Sequence, residues 1–283
     1  MPSENVETSI PAAVTDRRTR KRDARRDHLL DLAADLVEAV GVHGVTMTAL
    51  AEAADYAPAS LYTYFASRSA LLAALQQRAL VVLGEVAEAE LSAWDSALAD
   101  HAAASEPISK QTAALARLWA FSGLFLSAPH DHPREFCLQQ QLLVSTGAED
   151  TADAATIVPT AMIVLDVPRR LLAGAESVGA LEPLRAAADP LDQPIDGSIL
   201  RTFAWVVALN GALMADGLTT GLPTTGHGLG TVVTEALLRG WGAPPTDLLA
   251  GQELARSVLA PSAPSAPKPS MPEISATSTR AVR

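Results

Sequence analysis

The chain has 283 residues, 48% of them apolar, which is enough to bury one large core or two ordinary ones and excludes a wholly disordered protein. A net charge of −11 argues against a general nucleic-acid coat, and the single cysteine, Cys137, excludes an intramolecular disulfide framework and a Cys-rich zinc site. With aromatics at only 4%, a base-stacking platform for single strands is poorly supplied.

The first 16 residues are polar and acidic and carry no export signal, so they read as a disordered tail. A local cationic arm follows: seven of the 21 basic residues fall between Arg17 and Arg26. From Arg25 onward the text is helix after helix, rich in Ala and Leu, and the class is all-α. Leu29, Leu30, Ala33, Leu36, Val37 and Val40 recur at spacings of three and four opposite Asp31, Asp35 and Glu38, which predicts one amphipathic helix ended by Gly41. Thr46 is placed to cap a short helix, Met47 to Ala54. Asp55, Tyr56 and Ala57 form a turn, and Pro58 opens a second short helix that is expected to run to Phe65. Ser67 is a cap for a long helix that continues to about Ala104.

A stabilising helix, two short helices and a three-residue turn have the organisation of a helix-turn-helix module. The stretch VTMTALAEAADYAPASLYTYFASRSALLAAL, Val45 to Leu75, and above all Leu61, Tyr62, Tyr64 and Phe65 followed by Ser67, Arg68 and Leu71, resembles the TetR family of bacterial transcriptional regulators. The resemblance implies a three-helix DNA-binding domain followed by a larger helical domain for effector binding and dimerisation. It also implies that Ala57, Pro58, Ala59, Ser60 and Thr63 face base edges, while Thr46, Tyr62, Tyr64 and Arg68 lie where phosphates pass. This chain departs from the family pattern at Asp55, where Gly is usual, at Ala57, where Ser or Thr is usual, and at Ala49, which replaces a capping acid. A recognition helix without Arg, Asn or Gln lacks bidentate base contacts, so discrimination must rest on methyl packing, hydroxyls and groove shape. The arm, with Arg17, Arg18, Arg20, Lys21 and Arg22, is expected to enter the adjacent minor groove and supply salt-sensitive affinity.

Residues 17–80 carry a net charge of +2 and residues 81–283 a net charge of −10, so only the N-terminal part suits DNA. The expected domains are a tail over 1–16, the DNA-binding domain over 17–79, the effector and dimerisation domain over 80–258, and a disordered Pro- and Ser-rich tail over 259–283. Within the body, helices are predicted over Ile108 to Ala128, Pro133 to Thr146, Asp150 to Ala173, Ser198 to Leu218 and Gly228 to Trp241, with Pro159 expected to kink or split the third. Pro183, Pro190 and Pro194 make one connection irregular, and Thr219 to Gly226 reads as a loop. The resemblance implies dimerisation through the last two predicted helices. Leu200, Phe203, Ala204, Val207, Leu213 and Met214, with Val232, Val233, Ala236, Leu237 and Trp241, supply apolar faces, though an intrachain core would use the same pattern.

Candidate pocket residues are large and apolar with sparse polar neighbours: Trp119, Phe121, Phe125, Met162, Trp205, Asn210 and Met214. Each such residue is more often core than ligand contact. His130, Asp131, His132, Glu135 and Cys137 form an alternative, metal-responsive cluster, although a polar loop between Pro129 and Pro133 is the simpler reading. There is no G-x-S-x-G, phosphate loop or H-E-x-x-H, and His28, His43, His101 and His227 are scattered, so no enzyme and no cofactor are expected. A helical scaffold for protein partners would leave the arm idle. Phe203 to Ala215, the longest apolar run, is short for a spanning helix, and a cytoplasmic protein is expected. The reading is a ligand-responsive regulator, a homodimeric repressor of a palindromic operator in double-stranded DNA released by a small apolar effector.

Overall fold

The computed structural model describes residues 12–104, 107–145, 151–183, 197–216 and 225–259. Among the described residues there are ten helices and no strand. The first, α1 (Ala12–Gly44), begins earlier than read: residues 12–16, expected in a tail, are helical, and the basic stretch is the same helix continued outward. Its inner face buries Leu29, Leu30, Ala33, Ala34 and Val37. Gly41 stops the regular geometry at φ 72 and ψ 168, a conformation that favours a residue without a Cβ, and it turns the chain toward buried Val42 and Val45.

Two short helices follow, α2 (Met47–Ala54) and α3 (Pro58–Leu61), then the 37-residue α4 (Arg68–Ala104). At 1.5 Å per residue α4 is about 55 Å long, and it belongs to two cores. Leu71, Leu72, Leu75 and Ala79 join the N-terminal core, while Ala87, Trp94 and Leu98 join the second. The body then comprises α5 (Lys110–Asp131), α6 (Pro133–Ser145), α7 (Thr151–Ser177), α8 (Gly197–Asp216), α9 (Gly226–Gly240) and α10 (Pro245–Val258).

Several expectations change here. Helix α7 runs through both Pro159 and Pro168 without dividing. Helix α10 was not read from the sequence. It packs on α5, and Gly251 permits the approach, because a Cβ there would sit 2.8 Å from Leu115 Cβ. Leu259, expected in the C-terminal tail, caps α10 and is buried. Residues 1–11, the remainder of that tail from 260, the connection with Pro190 and Pro194, and residues 219–224 of the predicted loop lie outside the described residues.

The second core is pinned by one polar group. Thr234 on α9 accepts from the fully buried Trp205 indole at 3.2 Å and shares a 2.8 Å hydrogen bond with Ser122 on α5. Burial of these hydroxyls costs little because each has a partner. Two described helices are long and apolar enough to cross a membrane, with windows in α4 and α8 of mean hydropathy 1.4. Half of the α4 window is buried within the protein, but only 33% of that in α8. The rest of the α8 window is left partly or wholly exposed by the described residues.

Candidate nucleic-acid interface and effector cavity

The reading head is built from local capping chemistry. Thr46, with extended φ/ψ, accepts the Ala49 amide at 3.0 Å and starts α2, a device worth about 1 kcal/mol. Asp55 ends it in the left-handed region, at φ 55 and ψ 45, and its amide bonds back to the Ala51 and Glu52 carbonyls. Pro58 then occupies the first turn of α3 and needs no amide partner. Ala57, the residue before it, offers no side-chain cap, and α3 is a single turn. The expected continuation to Phe65 is not helical: residues 62–64 form a turn, held by Thr63 Oγ1 donating to the Ser60 carbonyl at 2.7 Å. Leu50, Ala51, Leu61 and Phe65 are buried beneath this unit.

Ala57, Pro58, Ala59, Tyr62 and Thr63 stand exposed on one side of it, with Ser60 and Tyr64 half-buried, and Tyr62 is 55% exposed. Thr46 is exposed at the start of α2. Arg17, Arg18, Arg20, Lys21 and Arg22 are all exposed on the outer turns of α1. The basic helix is fastened to the reading head: Arg22 donates to the Thr63 carbonyl at 3.0 Å, and the Arg26 guanidinium lies 5.2 Å from the Phe65 ring centre. Arg25 hydrogen-bonds the Tyr64 hydroxyl, which raises its already high pKa further. Arg68 is the exception among the predicted phosphate neighbours. It is partly buried and donates to the carbonyls of Val45 and Val42, both at 2.6 Å. Those contacts commit its guanidinium to closing the α1–α2 loop.

A narrow apolar cavity of about 80 Å³ lies in the body between α4, α5, α6, α7 and α8. Phe121 and Phe125 from the predicted set line it, joined by Phe136, Gln139 and Pro168, none of which the sequence singled out for a ligand, and by His132, singled out only for a metal. The other candidates go elsewhere. Trp205 is core, with its ring 5.1 Å from Phe121, and Trp119 donates to the Leu248 carbonyl at 3.3 Å on the opposite side of α5. Asn210 bonds the Val206 carbonyl and receives Gln140, while Met162 and Met214 are surface residues.

Helix α6 connects this cavity to the reading head. Its Leu138 is buried in the N-terminal core. Its Arg134 pairs with Asp35 and with Glu38 of α1, the latter at 2.7 Å, and the Glu38 hydrogen bond is the largest cause of the raised Arg134 pKa. The alternative metal cluster fails on geometry. His132 faces the apolar cavity, Asp131 a separate cleft and Glu135 a depression toward α4, and no group of three or more such side chains among the described residues is arranged to hold a metal ion. The expected loop there is a single residue, since α5 reaches Asp131 and α6 starts at Pro133.

On α8, Leu200, Phe203, Ala204, Val207 and Met214 are exposed in a three-and-four rhythm, with Val207 at 66%. Val232 and Ala236 are exposed on α9. Leu213, Leu237 and Trp241, predicted for the same face, instead pack against the body's own core.

Residues 29–75 match the family model described as bacterial regulatory proteins, tetR family. No curated protein matches the chain. Among solved structures, the chain is similar to the fatty acid degradation regulator FadR from Bacillus halodurans, with TM-score 0.50, 16% identity, and coverage of 76% of this chain and 98% of that one. It is also similar to RolR in complex with resorcinol, with TM-score 0.50, 20% identity, and coverage of 85% and 97%. A Mesorhizobium loti protein assigned to the TetR-family transcriptional regulators gives TM-score 0.51 and 14% identity, with coverage of 78% and 99%. At such identities the likeness establishes a shared fold.

Proposed function

We propose that this chain, whose N-terminal domain belongs to the tetR family of bacterial regulatory proteins, is a homodimeric repressor that leaves a palindromic operator when a small apolar effector enters the body. The chain is a ligand-responsive DNA-binding regulator, and the observation that carries the finer reading is the position of α6. One surface of that helix lines the apolar cavity while another is part of the reading head's own core. At about 80 Å³ the cavity is far below the several hundred Å³ a drug-sized ligand occupies, so a ligand can enter only by displacing its walls. Displacing α6 relative to α1 costs the DNA-binding arrangement the Arg134 pairs and Leu138 burial. That difference between the two states is what allows a ligand to shift them, and a 100-fold change in operator affinity needs about 2.7 kcal/mol.

The DNA-facing set is Ala57, Pro58, Ala59, Ser60 and Thr63 toward bases, with Thr46, Tyr62, Tyr64 and the α1 cations toward phosphates. Arg68 leaves that set, because it is partly buried and two of its five N–H donors are held by the Val45 and Val42 carbonyls. The exposed faces of α8 and α9 pair across a two-fold axis, which matches a palindromic site. The DNA-binding domain spans 17–79 and the effector and dimerisation domain spans 80–258. Mobility shift against fragments of the region upstream of the protein's own reading frame tests the proposal. Saturable binding to one fragment that survives competitor DNA is expected, and equal binding to every fragment would overturn it.

A further inference from the structure

The roomiest space on the far side of α5 is not the effector cavity. A cleft of about 390 Å³ opens between α5, α9 and α10, floored by Trp94 of α4 and by Trp119. Its volume lies in the range of small-molecule sites. Trp94 is only 3% exposed, and its indole Nε1 is buried with no hydrogen-bond acceptor, whereas the Trp119 and Trp205 indoles each have one. An orphaned buried N–H costs about 1–3 kcal/mol, so Trp94, a residue of this lining, carries an unmet demand for an acceptor. Gly123, also in the wall, has nothing within 4 Å of where a Cβ would stand, so the space above it is open. Around the mouth, Glu90, Asp131, His227 and Arg256 supply charges of both signs and favour no strongly charged ligand.

We infer that this cleft is a second small-molecule site, separate from the effector cavity, for a flat and largely apolar ligand that brings one hydrogen-bond acceptor to Trp94. The apolar body of such a ligand covers Trp119 and Leu124, and a carbonyl oxygen satisfies the Trp94 N–H. Leu124 lines both this cleft and the effector cavity, so the two sites share α5 as a wall.

The test uses the full-length protein with ¹⁵N-labelled indoles, of which there are four, assigned by single Trp→Phe substitutions. Coumarin, flat with one carbonyl, and naphthalene, flat with no acceptor, are the probes. Coumarin is expected to move the Trp94 indole signal saturably and to leave that of Trp205 in place. Trp94→Phe weakens coumarin about tenfold and leaves naphthalene unchanged. Gly123→Leu, whose Cβ meets nothing within 4 Å and whose side chain extends into the open space, abolishes binding of both while the melting temperature holds. Three results would overturn the inference: a Trp94 signal that never moves, a shift confined to Trp205, or equal weakening of both probes by Trp94→Phe. A chain ending at Leu259 whose Trp94 signal is displaced before any probe is added would assign the cleft to the 24 residues that follow, and would overturn it too.

Discussion

Arg68 shows how far a side chain's type can stand from its task. An arginine just after a recognition element reads as a phosphate contact, yet two of the five N–H donors of Arg68 close on the Val42 and Val45 carbonyls. Charge-assisted hydrogen bonds to backbone acceptors are worth more than neutral ones. Arg68→Ala is therefore expected to lower unfolding free energy by about 2 kcal/mol, measured from denaturant midpoints at unchanged slope. A phosphate role alone would leave that midpoint fixed and flatten the salt dependence of DNA binding instead. Thr46, Ser67 and Asp55 were legible because a cap needs only a short polar side chain at one offset, and each takes up its anticipated local task. Arg68 was not, since its acceptors lie 23 and 26 residues away and are brought near only by the Gly41 turn.

At the scale of elements, the chain divides into helices whose repeat is strong and helices whose burial depends on neighbours. The apolar stripes of α1, α4 and α8 announced themselves. Helix α10 did not, because its docking on α5 depends on the missing Cβ of Gly251 as well as on buried Leu248, Leu254 and Ala255. Helix α6 is the proposed coupling element, and its tie to α1 is partly solvent-exposed, so the tie should matter to motion more than to stability. Arg134→Ala is expected to speed amide exchange across residues 133–145 by up to about fivefold, measured by hydrogen–deuterium exchange, while the melting temperature moves by only a few degrees. The outer turns of α1 have a different task. A chain lacking residues 1–22 loses five cations per protomer and should show a log–log salt slope for operator binding by the proposed dimer shallower by up to about 9. An unchanged slope would mean those cations never meet phosphate.

Across the whole molecule, charge and apolar surface are sorted by task. The reading head is net positive, the body strongly negative, and among the described residues α8 carries more of the exposed large apolar side chains than any other helix. Val207→Asp would set two carboxylates against each other across the proposed two-fold axis. A monomer by analytical ultracentrifugation and a loss of operator affinity beyond about 100-fold are expected, because one half-site alone cannot hold the protein. A dimer that persisted would place the interface elsewhere. The pocket was the least legible part of the sequence. Helical periodicity separates inside from outside but not one interior contact from another, so Phe121 and Trp205 looked alike although one lines a cavity and the other fills a core.

The brevity of α3 has a further consequence. A lone helical turn with no cap of its own leans on Arg22, whose hold on the Thr63 carbonyl lies at the water's edge, in the limb proposed to grip the sugar–phosphate rail. Anchorage and discrimination thus draw on the same few cations. Raising ionic strength should blunt the preference for cognate over scrambled sequence as well as loosen the grip, where a self-supporting recognition helix would lose tightness alone.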